Sequence, residues 1–412
     1  WILFLLFGSS KLPRHRRNMQ DKVDRYLEAI DQGDTGARAA VNEKYRRTLD
    51  LAERLVHMPV AYCDRYEVID TYDEVFSRLV EDIDAAKEVI NMNFYIMGRD
   101  DSTAPVFDAL ERAHKRGVSV HVLYDDYCRI NRYRRWFRKA RSHLEKAGIP
   151  LVASLPMTLS FKKYLRPDLR NHRKIVTIDH TIAYTGSQNL IDKTYHRKDD
   201  IYYKELVVRV EGQVAKHIEI VFATDWFAET KENILLFDPS TRRHAARTNL
   251  RVQVVPSGPG YADENNLKVF TSLFYEAEKS ITIVNPYFVP DDALMTALVS
   301  AARRGVSVTM INSAAVDQFF VAHAQRSYYE QLLKAGIHIY LHDKPVLVHS
   351  KFIVIDEEVS VVGSSNLDMR SLMLDSELTL LVYGDQFATS LQAVADTYLA
   401  NAKQVDRAVW EA

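Results

Sequence analysis

The sequence predicts an α/β fold made of two homologous units in one chain. Three observations predict it. First, two stretches match at six positions: His172-Arg-Lys174-Ile-Val-Thr-Ile-Asp179 with Gly186-Ser187-Gln-Asn189, and His349-Ser-Lys351-Phe-Ile-Val-Ile-Asp356 with Gly363-Ser364-Ser-Asn366. From each His, Lys stands 2 residues on, Asp 7, Gly 14, Ser 15 and Asn 17. Second, Arg-Gly-Val-Ser-Val occurs at 116–120 and 304–308, and Leu144-Glu-Lys-Ala-Gly-Ile149 is answered by Leu332-Leu-Lys-Ala-Gly-Ile337, each pair 188 residues apart. Third, strand-like and helix-like segments follow the same order in both halves, as in a duplicated α/β unit and unlike a many-repeat solenoid.

In chain order, 1–7 is wholly apolar and is followed by Lys11, Arg14, Arg16 and Arg17. A bilayer span needs ~20 residues, and a signal peptide carries its charge before the apolar run. The order fits the tail of a membrane helix leaving on the cytoplasmic side; a cloning remnant or short buried segment is the alternative. We therefore divide the chain into an anchor remnant with a basic juxtamembrane segment (1–18), a helical linker broken at 31–35 (19–64), a first unit (65–247) and a second unit (248–412). In the first unit, helical spacing of Val75, Leu79, Ile83 and Ala86 predicts a helix over 73–86. A strand is expected over 89–96, a helix over 104–116 ended by Gly117, and a strand over 118–124. A helix over 129–146 ended by Gly148 and a strand over 149–153 follow. The second unit repeats this with helices over 269–278, 292–304 and up to 334, and strands over 280–284, 306–311 and 337–341. The histidine stretches are 177 apart rather than 188, so the first unit carries 11 extra residues between Gly148 and His172.

The composition, 47% apolar and 26% charged, is that of a folded globular protein. A net charge of −1 excludes attraction of the whole molecule to polyanions, so any such binding must use local patches. Cys63 and Cys128 make no framework and no metal-ligand pair, and are expected as reduced thiols in a cytoplasmic setting.

Side chains alternate along a strand, so His172 and Lys174 share a face, as do His349 and Lys351. Asp179 and Asp356 have the opposite parity; a scaffold role is expected for them, with catalysis the alternative. Ser187 and Asn189, like Ser364 and Asn366, share parity after a glycine that admits close backbone approach. Lys supplies charge and Ser and Asn neutral donors, so the set suits a phosphate. Doubled, it supplies two cations for a pentacoordinate transition state, and nothing in the sequence resembles a carboxylate or His/Cys array for a metal. Two histidines allow a division of labour: one, neutral, attacks phosphorus, and the other, protonated, serves the leaving oxygen. The residues alone leave open which does which. An orienting carboxylate is expected behind each, and Glu205 and Glu377, each opening a strand after the Gly-Ser-x-Asn turn, are the candidates.

Both stretches resemble the His-x-Lys-x4-Asp-x6-Gly-Ser-x-Asn signature of the phospholipase D superfamily. Further phrases resemble its bacterial cardiolipin synthase branch: Val252-Gln-Val-Val-Pro-Ser-Gly-Pro259, Pro286-Tyr-Phe-Val-Pro-Asp-Asp292, Arg326-Ser-Tyr-Tyr329 and Asn366-Leu-Asp-Met-Arg-Ser371. The resemblance implies phospholipase D-like units, each a mixed β-sheet flanked by helices, with one active site on the pseudo-two-fold interface. It implies His172 as nucleophile and His349 as general acid/base, with the signature Asp179 and Asp356 and the carboxylates Glu205 and Glu377 counted among the catalytic candidates. Glu205 departs from the Asp common at its place. The implied reaction condenses two phosphatidylglycerols to cardiolipin and glycerol, without metal or cofactor, at the cytoplasmic side of a bacterial inner membrane.

Two basic-aromatic stretches suit an anionic bilayer. One includes Arg134, Arg135, Trp136 and Phe137; the other, Phe161, Lys162 and Lys163, lies in the extra segment of 155–171; both are expected at the lipid's way in, and a solvated charged helix face with a loop packing its aromatics inward is the alternative. Phe319, Phe320 and Val321 are expected as buried core, with a second membrane-touching patch the alternative. A nuclease acting on phosphodiesters, a hydrolase or transphosphatidylase of other phospholipids and a non-catalytic membrane scaffold are the rival readings. Near-zero charge and the anchor remnant weigh against nucleic acid, and the paired histidines against a scaffold. Homo-oligomerisation and the second lipid's identity are left open.

Overall fold

Short Val- and Ile-rich runs buried on both faces gather into two sheets in the computed structural model, which describes Leu12, residues 35–157, 165–196, 200–235, Thr248 and 250–411. The first sheet runs in the order Arg65–Ile69, Val207–Glu211, Ile182–Gly186, Ile175–Ile178, Val89–Phe94, Ser119–Asp125, Leu151–Ser154. The second has the corresponding seven, Arg251–Ser257, Glu377–Tyr383, Val359–Gly363, Phe352–Ile355, Ser280–Val284, Ser307–Ser313 and His338–His342. Ala61–Tyr62 and Ala402–Gln404 extend its two edges. Both sheets are mixed: Val89–Phe94 pairs parallel with Ser119–Asp125 and antiparallel with Ile175–Ile178, and Ser280–Val284 does the same with its counterparts. The parallel pairs require crossovers, which helices Ala104–Lys115 and Asp292–Arg303 supply.

The helix expected from 129 begins at Arg134 instead. The Asp125 carboxylate accepts from the Tyr127 amide and caps a 3-10 turn over Asp126–Arg129, while the Asn131 side chain accepts from the Tyr133 amide. These local side-chain bonds outcompete helix until Arg134.

Two long helices lie outside the sequence-based assignments. Gln213–Thr230 is buried nearly all round, with Ile218, Ile220, Val221, Phe222 and Trp226 in one core with the second unit's strands. A helix buried on every side shows no amphipathic stripe. Asp385–Leu399 does carry a stripe: Phe387, Leu391 and Tyr398 pack into that core while Gln386, Thr389 and Ala393 face solvent. From residue 37 onward, the segment expected as linker is built into the second unit. Tyr45, Leu49, Ala52 and Val56 join its core, Ala61 pairs with Val252, and Thr48 donates to Glu276 at 2.7 Å. Among the described residues no helix is long and apolar enough to cross a membrane; the expected anchor remnant lies outside them except for Leu12.

Candidate active site

Each histidine is presented by the end of one unit and held by the other. The His172 amide donates to the Ser376 carbonyl at 2.9 Å, and the His349 amide to the Lys204 carbonyl at 2.7 Å. Ser376 and Lys204 directly precede Glu377 and Glu205. The contact therefore delivers each glutamate to the opposite unit's histidine. His172 Nδ1 lies 2.9 and 3.1 Å from the Glu377 oxygens, and His349 Nδ1 lies 2.8 and 2.9 Å from those of Glu205. A carboxylate only accepts, so Nδ1 carries the hydrogen and Nε2 is left for chemistry. Both histidines border one cavity of about 720 Å³ between the units.

The histidines and lysines stand just before the strands Ile175–Ile178 and Phe352–Ile355, and the Ser and Asn that share parity part company. Lys174 and Lys351 are buried beside their histidines, each Nζ donating to the carbonyl of its own histidine, at 2.6 and 2.7 Å. That bond uses one hydrogen of each ammonium, and neither lysine is among the residues that border the cavity. Asn189 and Asn366 line the cavity. Ser187 and Ser364 do not reach it. Both are fully buried behind the glutamates: Ser364 Oγ donates to Glu377 and accepts from the Leu378 amide, and Ser187 Oγ accepts from the Leu206 amide and bonds to Glu205. They position the carboxylates rather than touch phosphate. The preceding glycines are obligatory, because a Cβ on Gly186 or Gly363 would sit 2.3 or 2.2 Å from the carbonyl oxygen of Leu206 or Leu378.

Asp179 and Asp356 are scaffold, which corrects their place among the catalytic candidates. Asp179 accepts from the amides of Lys87, Glu88 and Val89, and Asp356 from those of Glu278, Lys279 and Ser280. Each pins the start of the neighbouring interior strand, Val89–Phe94 or Ser280–Val284. Both sit in tight hairpins at positive φ (48° and 53°), followed by His180 and Glu357 at 60° and 59°. Paired positive φ is the conformation of the two-residue hairpin turn whose twist matches that of the strands.

The surroundings of the two histidines differ. The Tyr95 ring meets His172 edge-on at 4.9 Å, while Tyr203 and Tyr287 meet His349 at 5.3 and 6.2 Å. Asp317 Oδ2 accepts from the hydroxyls of Tyr287 (2.6 Å) and Tyr203 (3.1 Å). Arg370, paired with buried Asp375 at 2.9 Å, stands in the cavity wall. Beneath, buried Arg173 donates to the Glu377 and Ser257 carbonyls and pairs with Asp225 of the long helix, locking the two units together. Asn93-Phe-Tyr95 and Asn285-Pro-Tyr287 recur at matching strand ends and were a readable signal for the tyrosines. Asp317 gave none, since the 188 offset sets it against Arg129.

Electrostatics follow burial first. Burial, then Lys174, Lys351, His349 and Arg370, hold His172 well below the ordinary histidine range. Burial also lowers His349, but Glu205 and Asp317 oppose it. Burial pushes Glu377 up to about 7 against the pull of Lys174. Glu205 is pushed up by burial as well, yet His349, Lys351 and Ser187 outweigh that and leave it below the ordinary range. Burial lowers Lys174 to about 7 and Lys351 to about 8, in each case against nearby glutamates.

The aromatic patches are reassigned. Phe137 is 2% exposed and packs on Tyr124 in the first unit's core, so it meets no lipid. Trp136 is half-buried against Tyr133, Ile96 and Ile191, and Arg135 stacks on its ring at 4.6 Å. Arg134 and Arg135 are exposed. Phe161, Lys162 and Lys163 lie outside the described residues; of the extra segment, Pro167 and Arg170 line the cavity. Phe319 and Phe320, expected in the core, are 66% and 84% exposed. Their short helix packs its small and polar face inward, with Gln325 buried and donating to Tyr329.

A duplicated mixed-sheet fold with crossed His–Glu pairs at the junction is the arrangement of a phospholipase D-type phosphoryl-transfer protein. A family profile described as "Cardiolipin synthase, PLD-like domain" matches residues 79–226 and 270–398. Proteins named cardiolipin synthase A from Serratia proteamaculans (strain 568) and Yersinia pseudotuberculosis serotype O:3 are each 33% identical over 419 aligned residues. These alignments cover 100% and 99% of this chain and 85% of each relative. The chain belongs to the cardiolipin synthase family of phospholipase D-like proteins. Among solved structures, a phosphatidylserine synthase of Haemophilus influenzae superposes with TM-score 0.66 at 15% identity, covering 87% of this chain and 92% of that one. A polyphosphate kinase of Porphyromonas gingivalis does so with TM-score 0.55 at 17% identity, over 84% of this chain and 49% of that one. At such identities these show the fold alone.

Proposed function

We propose that the protein is a cardiolipin synthase that transfers a phosphatidyl group between two phosphatidylglycerols through a phosphohistidine. The observation that carries this reading is the pair of crossed His–Glu contacts facing one cavity. In the first step His172 Nε2 attacks phosphorus and the P–O bond to the leaving glycerol breaks. His349 Nε2–H gives its proton to that oxygen. In the second step His349 takes the proton of a glycerol hydroxyl on the acceptor lipid. That oxygen attacks phosphorus, the P–N bond breaks, and His172 is released with cardiolipin formed.

The division of roles is supported by the electrostatics. A nucleophile must be neutral, and His172 is held furthest down. A general acid must hold a proton, and His349 faces the carboxylates of Glu205 and Asp317. Lys174, Lys351, Asn189 and Asn366 take the phosphate oxygens. Transfer rather than hydrolysis requires that lipid displace water from the cavity, which the Tyr95, Tyr203 and Tyr287 rings favour. The enzyme works at the membrane, on the cytoplasmic face of a bacterial inner membrane; the basic residues after the opening apolar run and the exposed Arg134 and Arg135 support this.

Purified protein with phosphatidylglycerol vesicles should yield cardiolipin and free glycerol by thin-layer chromatography, unaffected by EDTA. Release of phosphatidic acid without cardiolipin would overturn the transfer reading, and loss of activity on chelation the metal-free one. Protease accessibility in inverted membrane vesicles tests the sidedness.

A further inference from the structure

The strands Ser119–Asp125 and Ser307–Ser313 correspond residue for residue at the offset of 188, and the segments after both lead to the cavity mouth, as one helix from Arg134 in the first unit and as two, Phe319–Ser327 and Tyr329–Ala335, in the second. There the two halves diverge. Residues 129–139 carry six Lys or Arg, whereas 317–327 carry one, Arg326. Arg132 and Phe320 occupy equivalent positions, and both border the cavity. Phe319 and Phe320 meet edge-to-face at 5.5 Å and are the most exposed large apolar side chains among the described residues. Met369 (42% exposed) and Tyr127 (36%) continue the apolar rim into the same cavity. The mouth therefore takes its cationic stretch from the first unit and its exposed phenylalanine pair from the second, and the first unit adds apolar surface of its own in Tyr127 and Ile130.

We propose that the helix Phe319–Ser327 is a bilayer-inserting edge. Phe319 and Phe320 enter the acyl layer while Arg132, Arg134 and Arg135 meet lipid phosphates, seating the mouth on an anionic membrane. An adjacent pair of exposed phenylalanines is costly in water and is relieved by acyl chains, and the arginines opposite add salt-dependent attraction to anionic headgroups. A protein partner would satisfy the phenylalanines but would cover the mouth. A bilayer presents acyl chains, phosphates and the substrate in one plane. This deepens the proposed function and rests on its lipid substrate.

The test places an environment-sensitive fluorophore on Phe319→Cys in the full chain. Native Cys63 and Cys128 are 0% and 1% exposed, and burial pushes both thiols up, so the label reports one site. Lys115→Cys is the control, exposed at the far end of strand Ser119–Asp125 from the mouth. With vesicles of phosphatidylglycerol and phosphatidylcholine, the 319 label should brighten severalfold and be quenched by acyl-brominated lipid, and the 115 label should do neither. The double variant Phe319→Ser/Phe320→Ser should bind these vesicles roughly tenfold more weakly. A 319 label that stays water-exposed on vesicle-bound protein overturns the proposal. So does a label already shielded without vesicles, which would mean a second copy covers the face, or a failure to bind vesicles at all. Cardiolipin formation is followed in the same samples. Cardiolipin with an exposed label sinks the docking edge alone, and insertion without cardiolipin upholds the edge and sinks the transfer reading.

Discussion

The first unit and the second share seven strands in one order, yet they surround their histidines with opposite chemistry. His172 lies under Tyr95 and near Arg370, against a Glu377 raised to about 7. His349 lies between Tyr203 and Tyr287, near Asp317, against a Glu205 kept below the ordinary range. At the mouth the first unit offers Arg132 and the second Phe320. The duplication preserved what positions the chemistry and let go of what differentiates it. Two identical His–Glu pairs would have no reason to adopt different protonation states; the neighbours supply one.

The sharpest way to break that comparison is to remove each histidine. His172→Ala should abolish turnover, by ~10⁴-fold or more, and with it any trapped phosphoenzyme. His349→Ala should lose ~10²–10⁴-fold with natural lipid yet still form phosphoenzyme from a substrate whose leaving group needs no proton. Phosphoenzyme on His349 alone would reverse the roles.

Next come the crossed carboxylates. An amide in place of the carboxylate favours the wrong imidazole tautomer, so Glu377→Gln and Glu205→Gln should each cost ~10³–10⁴-fold in kcat. Glu377→Gln should slow formation of the phosphoenzyme. Glu205→Gln should spare that step when the leaving group is activated. Identical step effects would erase the division of labour.

The lysines set a pH limb. Lys174 and Lys351, lowered to about 7 and about 8, lose charge as pH rises, and in the proposed mechanism they hold phosphate only when charged. kcat/KM should therefore fall through pH 7–8, while the limb in kcat moves higher because bound phosphate holds the ammonium forms. Asp317→Asn removes a charge that raises His349. It should thus shift the His349-dependent limb to lower pH, with Asn retaining acceptance from Tyr287. A pH–rate profile without a shift would take Asp317 out of that role.

The smallest expected effect compares the scaffold aspartates. Both accept three amides, but Asp356 also takes Lys44 and the Tyr45 hydroxyl (3.3 Å) from the N-terminal segment. Asp356→Ala should cost about 3 kcal/mol and Asp179→Ala about 2 kcal/mol, read by urea unfolding. Burial pushes Asp356 up, but Lys44 and the amides outweigh it and hold the carboxylate below its ordinary value of ~3.9. Its stabilisation is thus present above that value and fades as pH falls through the lower folded one. Equal losses for the two variants at neutral pH would mean that Lys44 adds nothing.

Much of this protein was legible in its residues. Six matched positions and phrases recurring at a shared offset of 188 specify a duplicated α/β chain, because periodicity and spacing are properties of the chain itself. Close spacing kept His172 with Lys174 and His349 with Lys351 just before the strands Ile175–Ile178 and Phe352–Ile355, and put Asp179 and Asp356 just past their far ends, since an extended strand separates its two ends in any fold. Other features belong only to the folded molecule. Which glutamate serves which histidine was not readable, because the pairing crosses 205 and 144 residues of sequence and depends on how the units meet. The helix Gln213–Thr230 carried no stripe because tertiary contacts bury all its sides. Phe137 and Phe320 exchanged their expected places, Phe137 to the core and Phe320 to the surface. A short apolar run states that surface is apolar, and only packing decides whether another part of the chain covers it.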